Sequence, residues 1–121
     1  MEQAKLDKIL DNHKLWLKTN GEQGERADLR SADLSYANLR SADLRSANLD
    51  YSAFPLWCGG LDVHIDDKQA TQLLYHLIRN VQYSKNTSKA MKKICRIKSL
   101  IKQANKFHRV NVCGEIKEDG K

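Results

Sequence analysis

Ala27-Asp28-Leu29-Arg30-Ser31, Ala32-Asp33-Leu34-Ser35-Tyr36, Ala37-Asn38-Leu39-Arg40-Ser41, Ala42-Asp43-Leu44-Arg45-Ser46 and Ala47-Asn48-Leu49-Asp50-Tyr51 follow one another without a gap, and Ser52-Ala53-Phe54-Pro55-Leu56 is a degraded sixth copy. Ala, then Asp or Asn, then Leu hold their register through five units. A period of five fits neither the helical period of about 3.6 residues nor the strand period of about two. The chain must therefore turn a corner once per unit, with Leu inside each time and the small Ala fitting beside it.

This pattern resembles the pentapeptide-repeat family, whose motif is a small residue, Asp or Asn, Leu or Phe, and two variable positions. The resemblance implies an α+β fold built on a short, four-sided, right-handed β-helix over residues 27–56, with Leu29, Leu34, Leu39, Leu44, Leu49 and Phe54 pointing inward. Four repeats make a coil of about 20 residues, so six make about one and a half coils. Stacking at about 4.8 Å would set Leu29 under Leu49, Leu34 under Phe54, and Arg30 against Asp50. That last pair would be an exposed ion pair worth about 1 kcal/mol at most.

So short a solenoid has two open ends and needs caps from its flanks. Residues 2–20 supply one: Leu6, Ile9, Leu10, His13, Trp16 and Leu17 fall at helical spacing, and Thr19-Asn20-Gly21 is a stop signal. Pro55 breaks the register at the other end, Trp57-Cys58-Gly59-Gly60 is a turn, and residues 61–66 alternate as a strand. Residues 67–109 read as a helical pair. The stripe of the first helix is Ala70, Leu73, Leu74, Leu77, Ile78 and Val81; Thr87 or Ser88 caps the second, whose stripe is Ala90, Ile94, Ile97, Ile101 and Ala104. Residues 110–121 read as a frayed tail.

At 121 residues the chain suits one compact domain. Hydrophobic content of 40% and charged content of 30% place it among folded rather than disordered chains. The apolar runs are too short for a membrane span, and the N-terminus lacks the apolar core of a signal peptide. A cytoplasmic setting, in a bacterial host cell, is the expectation. Cys58, Cys95 and Cys113 are odd in number and lack a framework spacing, so thiols are expected.

Charge is the strongest functional hint. Residues 1–54 carry eight Lys/Arg and nine Asp/Glu, whereas residues 68–109 carry eleven Lys/Arg and no acid. A block that one-sided repels itself unless a polyanion compensates it. Lys85, Lys89, Lys92, Lys93, Arg96, Lys98, Lys102, Lys106 and Arg109 are the candidate contacts, set against the plain alternative of a solvated lysine-rich helix face. No base-reading motif accompanies them, so nucleic-acid binding would be independent of sequence.

The outer face of the repeat, with Arg30, Arg40, Arg45 and Asp50, is a second candidate. Some long members of the family resemble a DNA duplex in size and negative charge, but here the segment is short and its arginines offset its carboxylates. Cys58, His76, His108 and Cys113 have the donor types of a zinc site, yet only His108 and Cys113 are closely spaced. A core histidine is the simpler account of His76. Asp62, His64 and Asp66 would share one strand face, for which simple exposure suffices. No phosphate loop, nucleophile elbow or triad spacing is present, so neither an enzyme nor a cofactor is expected.

Phe54-Pro55-Leu56-Trp57-Cys58-Gly59, Gln72-Leu73-Leu74-Tyr75-His76 and Asn105-Lys106-Phe107-His108-Arg109 are similar to phrases that follow short repeats in phage and prophage pentapeptide-repeat proteins. That likeness implies a small viral accessory protein. Two functional classes result: a module that binds nucleic acid or a nucleic-acid-handling complex through its basic helix, and a protein-directed inhibitor, of CRISPR machinery or a topoisomerase for example, that acts through the repeat face. A homodimer through an open solenoid end is a third expectation.

Overall fold

The computed structural model describes residues 1–118. They divide into two compact units, Met1–Asp66 and residues 67 onward. Where length alone pointed to a single core, the buried apolar side chains form two clusters. One holds Leu6 with the repeat leucines, and the other holds Tyr75, Ile78, Ile101 and Phe107.

In the first unit, α1 spans Gln3–Lys18 and is stopped as its sequence suggests: Asn20 and Gly21 take positive φ, and the Gly21 amide donates to the Trp16 carbonyl. The repeat follows, and at each corner one turn recurs. The Ala amide of one unit donates to the Leu carbonyl of the unit before it, as Ala32 to Leu29, Ala42 to Leu39 and Ala47 to Leu44. The residue two places after Leu is left-handed at Ser31, Ser41, Ser46 and Tyr51, which is the second central position of a type II turn. Tyr36 departs from this and keeps negative φ. The Asp or Asn of the motif closes the outside of the turn. Asp28, Asp33, Asn38, Asp43 and Asn48 each accept, on Oδ1, the amide two residues on, at 3.0–3.2 Å.

The four-sided β-helix expected over 27–56 does not form. Among the described residues there is no strand and no sheet, and the regular secondary structure is helical. Ladder-like contact is confined to three isolated parallel bridges, Asp28↔Asn48, Asp33↔Ala53 and Asp43↔His64. The physical reason is the period itself. A hydrogen-bonded turn in every unit leaves one or two residues extended between corners, below the usual strand minimum of about three. Residues 61–66, expected as a strand, are likewise irregular and form one isolated bridge with the coil, Asp43↔His64.

This turn-built coil nevertheless runs further than the repeat motif does. Amides of the first circuit donate to carbonyls of a second: Leu29 to Asn48, Leu34 to Ala53, Leu39 to Gly59, Ser41 to Asp62 and Leu44 to His64. The second circuit therefore closes at Asp66, making two turns rather than one and a half. A short 3-10 turn, Cys58–Gly60, absorbs the departure from the five-residue period. Gly59 is obligatory there, because a Cβ would lie 2.3 Å from the Trp57 ring and 2.8 Å from the Ala37 carbonyl. Leu29, Leu34, Leu39 and Leu44 are fully buried.

Helix α1 closes the first circuit. Leu6 is buried, and His13, also fully buried, accepts the Ala27 amide on Nδ1 at 3.0 Å while Nε2 donates to the Arg45 carbonyl at 2.7 Å. The first contact fixes the tautomer, since Nδ1 must be unprotonated to accept.

The second unit opens with α2, Asp67–Tyr83. The single basic helix expected to follow, to residue 109, is broken into α3 (Lys89–Ile94) and α4 (Lys98–Ala104), and a further short helix, α5 (Val110–Cys113), falls in the expected tail. Ser88 caps α3, its Oγ accepting the Met91 amide, whereas the Thr87 hydroxyl donates to the Val81 carbonyl. The break at Cys95 has a packing cause. Cys95, Ile101, Ala104 and Phe107 are buried together, a set that no one face of a straight helix presents, and Cys95, Ile94 and Ile97 are weak helix formers. The tail, expected to fray, is ordered through Ile116, which is buried and held by two bonds to the Asn105 side chain. Its last three residues, 119–121, lie outside the described ones.

Candidate interaction surfaces

The repeat face comes first. Its arginines are engaged where they stand. Arg45 clasps Asp43 with two bonds, Nε to Oδ1 at 2.9 Å and Nη2 to Oδ2 at 2.7 Å, and this clasp holds the Asp43 carboxyl below the usual carboxylate range. Arg40 reaches Asp62 of the next circuit at 3.4 Å. The Arg30 guanidinium lies over the Tyr51 ring, 5.1 Å from its centroid. Asp50 is half-buried. Asp33 is likewise held low, by the Ser35 hydroxyl and amide. The Asp66 carboxylate accepts the Ser46 amide at 2.7 Å, so the acids at 62 and 66 serve the coil. Among the described residues no three His, Cys, Asp or Glu side chains gather as a metal site would need. His76 Nδ1 bonds the Gln72 carbonyl at 2.7 Å, and the four zinc candidates are not gathered into such a group among the described residues.

The second unit carries the basic surface. Lys85, Lys89, Lys93, Arg96, Lys98, Lys102 and Lys106 are exposed, and none has an ion pair among the described residues. Arg109 is half-buried. Lys92 is different. Its ammonium donates to the carbonyls of Val81 at 2.9 Å, of Gln82 and of Ser84, which caps the C-terminus of α2. It is a structural cation rather than a free contact. Arg79 acts similarly, joining the Tyr75 hydroxyl at 2.6 Å to the Cys113 carbonyl at 2.7 Å.

Three exposed apolar groups were not legible in the sequence; one is on α2, where Leu73 and Leu77 of the expected stripe are exposed and Tyr75 is buried with Ile78 and Val81 instead. The stripe expected on the third helix is buried only in its second half, at Ile101 and Ala104; Ile94 and Ile97 are 48% and 47% exposed, beside Met91 at 38%. In the first unit Tyr36, Leu56 and Trp57 are exposed. Trp57 donates its indole N–H to the Ala37 carbonyl at 3.0 Å. The signal for Ile94 and Ile97 was the cluster Ile94-Cys95-Arg96-Ile97, unfavourable to a continuous helix.

Residues 25–54 match the family described as pentapeptide repeats (8 copies). That match covers 30 of the 121 residues and shows pentapeptide repeats in this segment; the basic unit lies outside it. No curated protein and no solved structure matches the chain. Among the described residues no helix is long and apolar enough to cross a membrane.

Proposed function

We propose that the protein is a non-enzymatic interaction module that binds a polyanion, either nucleic acid or a nucleic-acid-handling complex, through the basic surface of its second unit. The observation that carries this is the set of seven exposed cations between Lys85 and Lys106, in a stretch of 42 residues without a carboxylate. Pentapeptide repeats are in general protein-interaction modules, which supports a scaffold role for the first unit.

Titrating the full chain against a random duplex and against single-stranded DNA over a range of salt tests the proposal. Binding driven by phosphate contacts weakens with a log–log slope of about −0.9 per phosphate neutralised on duplex. A variant with Lys93, Arg96 and Lys98 changed to Glu should lose it, with Lys92 left intact because it caps α2. If neither DNA binds at low salt, the nucleic-acid arm is lost.

A second reading, a protein-directed inhibitor acting through the repeat face, is favoured by one observation. Tyr36 and Leu56 of the first unit are more than nine-tenths exposed, as aromatic and aliphatic anchors would be. The likeness of the flanking phrases to phage and prophage proteins supports a host enzyme or defence complex as target under either reading.

A further inference from the structure

The basic surface is not purely basic. Met91 and Ile94 are three apart on α3, and Ile97 follows three further on, tied back by its amide to the Ile94 carbonyl at 3.2 Å. The three side chains therefore continue one another across the helix break. Each is more than a third exposed, although the sequence pattern would have buried both isoleucines. The opposite side of the segment is anchored: Cys95 is buried, its carbonyl accepts from Gln82 at 3.1 Å, and Lys92 reaches back to α2. The ridge is thus held outward by fixed packing rather than left loose. Lys89, Lys93, Arg96 and Lys98, all exposed, lie on the same short segment of chain.

A phosphate backbone has nothing to offer the three apolar side chains, and the exposed Tyr83 ring, at the end of α2, is not one of them. An anionic protein segment with its own apolar stripe satisfies both features. Its carboxylates would meet the four cations while its apolar side chains cover Met91, Ile94 and Ile97. We propose that this ridge docks an acidic amphipathic segment of a partner protein. The proposal rests on the polyanion-binding surface proposed above and names the chemistry of its partner. Charge supplies the encounter rate and the apolar strip supplies most of the lifetime, because only the strip escapes salt screening.

The test uses the full chain and three probes: a synthetic amphipathic helix with Glu on one face and Leu at i, i+3, i+4 and i+7; the same peptide with its leucines changed to Ser; and a random DNA duplex. Two variants accompany it, Met91→Ser/Ile94→Ser/Ile97→Ser, which changes exposed positions and no charge, and Lys89→Glu/Lys93→Glu/Arg96→Glu/Lys98→Glu. The leucine peptide should bind about tenfold or more tighter than the serine peptide, a difference of about 1.4 kcal/mol. The triple-serine variant should remove that margin without changing DNA binding, and its helical circular dichroism should match that of the parent. Equal affinity for the two peptides would overturn the docking proposal while leaving a purely electrostatic surface standing. Binding to DNA alone, or only to vesicles rich in phosphatidylserine, overturns it too. Failure to bind any of these anions would overturn both proposals.

Discussion

The side-chain amide of Gln3 makes both backbone bonds of Asn38: Nε2 donates to the Asn38 carbonyl at 3.0 Å, and Oε1 accepts the Asn38 amide at 2.9 Å. A glutamine in the first turn of α1 thus stands in for the missing neighbouring circuit of the coil. His13 does the same for Ala27 and Arg45, Arg26 donates to the Ser46 carbonyl, and the N-terminal ammonium donates to that of Asp33. Helix α1 closes the coil with polar side chains as well as with Leu6, which is how an open edge can be finished without a further strand.

The two substitutes differ in burial, and so should their removal. His13→Ala strands a buried amide and a half-buried carbonyl and opens a cavity, an expected loss of about 3 kcal/mol. Gln3→Ala exposes its partners to water and should cost about 1 kcal/mol. Both tryptophans, Trp16 and Trp57, lie in the first unit, so urea unfolding followed by their fluorescence reads that unit alone. Equal losses for the two variants would contradict this account of the cap.

The corners predict opposite effects of one substitution. Ser46 has φ of 68°, so Ser46→Gly relieves a left-handed non-glycine residue and should gain up to about 1 kcal/mol. Ser46→Val, β-branched at the same φ, should lose more than that. Tyr36 sits at the same motif position with negative φ, and Tyr36→Gly should destabilise through backbone entropy alone. Fluorescence-detected unfolding of the three variants would show whether handedness at the corner governs the outcome.

Asp33 and Asp43 supply a pH dependence whose sign is fixed. Both have folded pKa values below the ordinary carboxylate value, through Ser35 and Arg45 respectively. Their stabilisation is therefore present above about pH 4 and is lost as pH falls through the lowered values. Asn serves at the equivalent positions 38 and 48, so Asp33→Asn/Asp43→Asn should keep the turns. Its unfolding midpoint should fall less than the parent's between about pH 6 and pH 3. An identical pH response in the two proteins would show that these carboxylates contribute nothing.

The repeat was legible because every unit states the same three requirements: a small residue, an amide-capping Asp or Asn, and a buried Leu. The second circuit was only partly legible. Trp57 to Asp66 keep the geometry with none of the motif, since a 3-10 turn, Gly59 and the left-handed Asp62 replace the regular corners. The error about strands arose from reading stacking as sheet, when the turn in each unit leaves too few extended residues for one. In the second unit, periodicity could not distinguish one helix from two, because the packing of Cys95 and Phe107 chooses the break. The charge imbalance was plain in the composition. That Lys92 is a capping group, unlike Lys93 beside it, depends on where the C-terminus of α2 lies in space.

That last distinction can be tested directly. The Lys92 ammonium satisfies carbonyls of Val81, Gln82 and Ser84 at a helix C-terminus, where a cation also meets the negative end of the dipole. Lys92→Met keeps the apolar stem and removes the charge, taking the ammonium from all three carbonyls while that of Val81 keeps the Thr87 hydroxyl. The expected loss is about 1–2 kcal/mol, or a fall in Tm of roughly 5–10 °C for a unit of this size. Lys93→Met removes the same charge from an exposed side chain and should leave Tm nearly unchanged while weakening binding to the acidic probes. Helical circular dichroism melts of the two variants, paired with one binding titration, separate the roles. Were Lys93→Met the more destabilising, or were both to weaken binding equally at unchanged Tm, Lys92 would belong with the exposed cations instead.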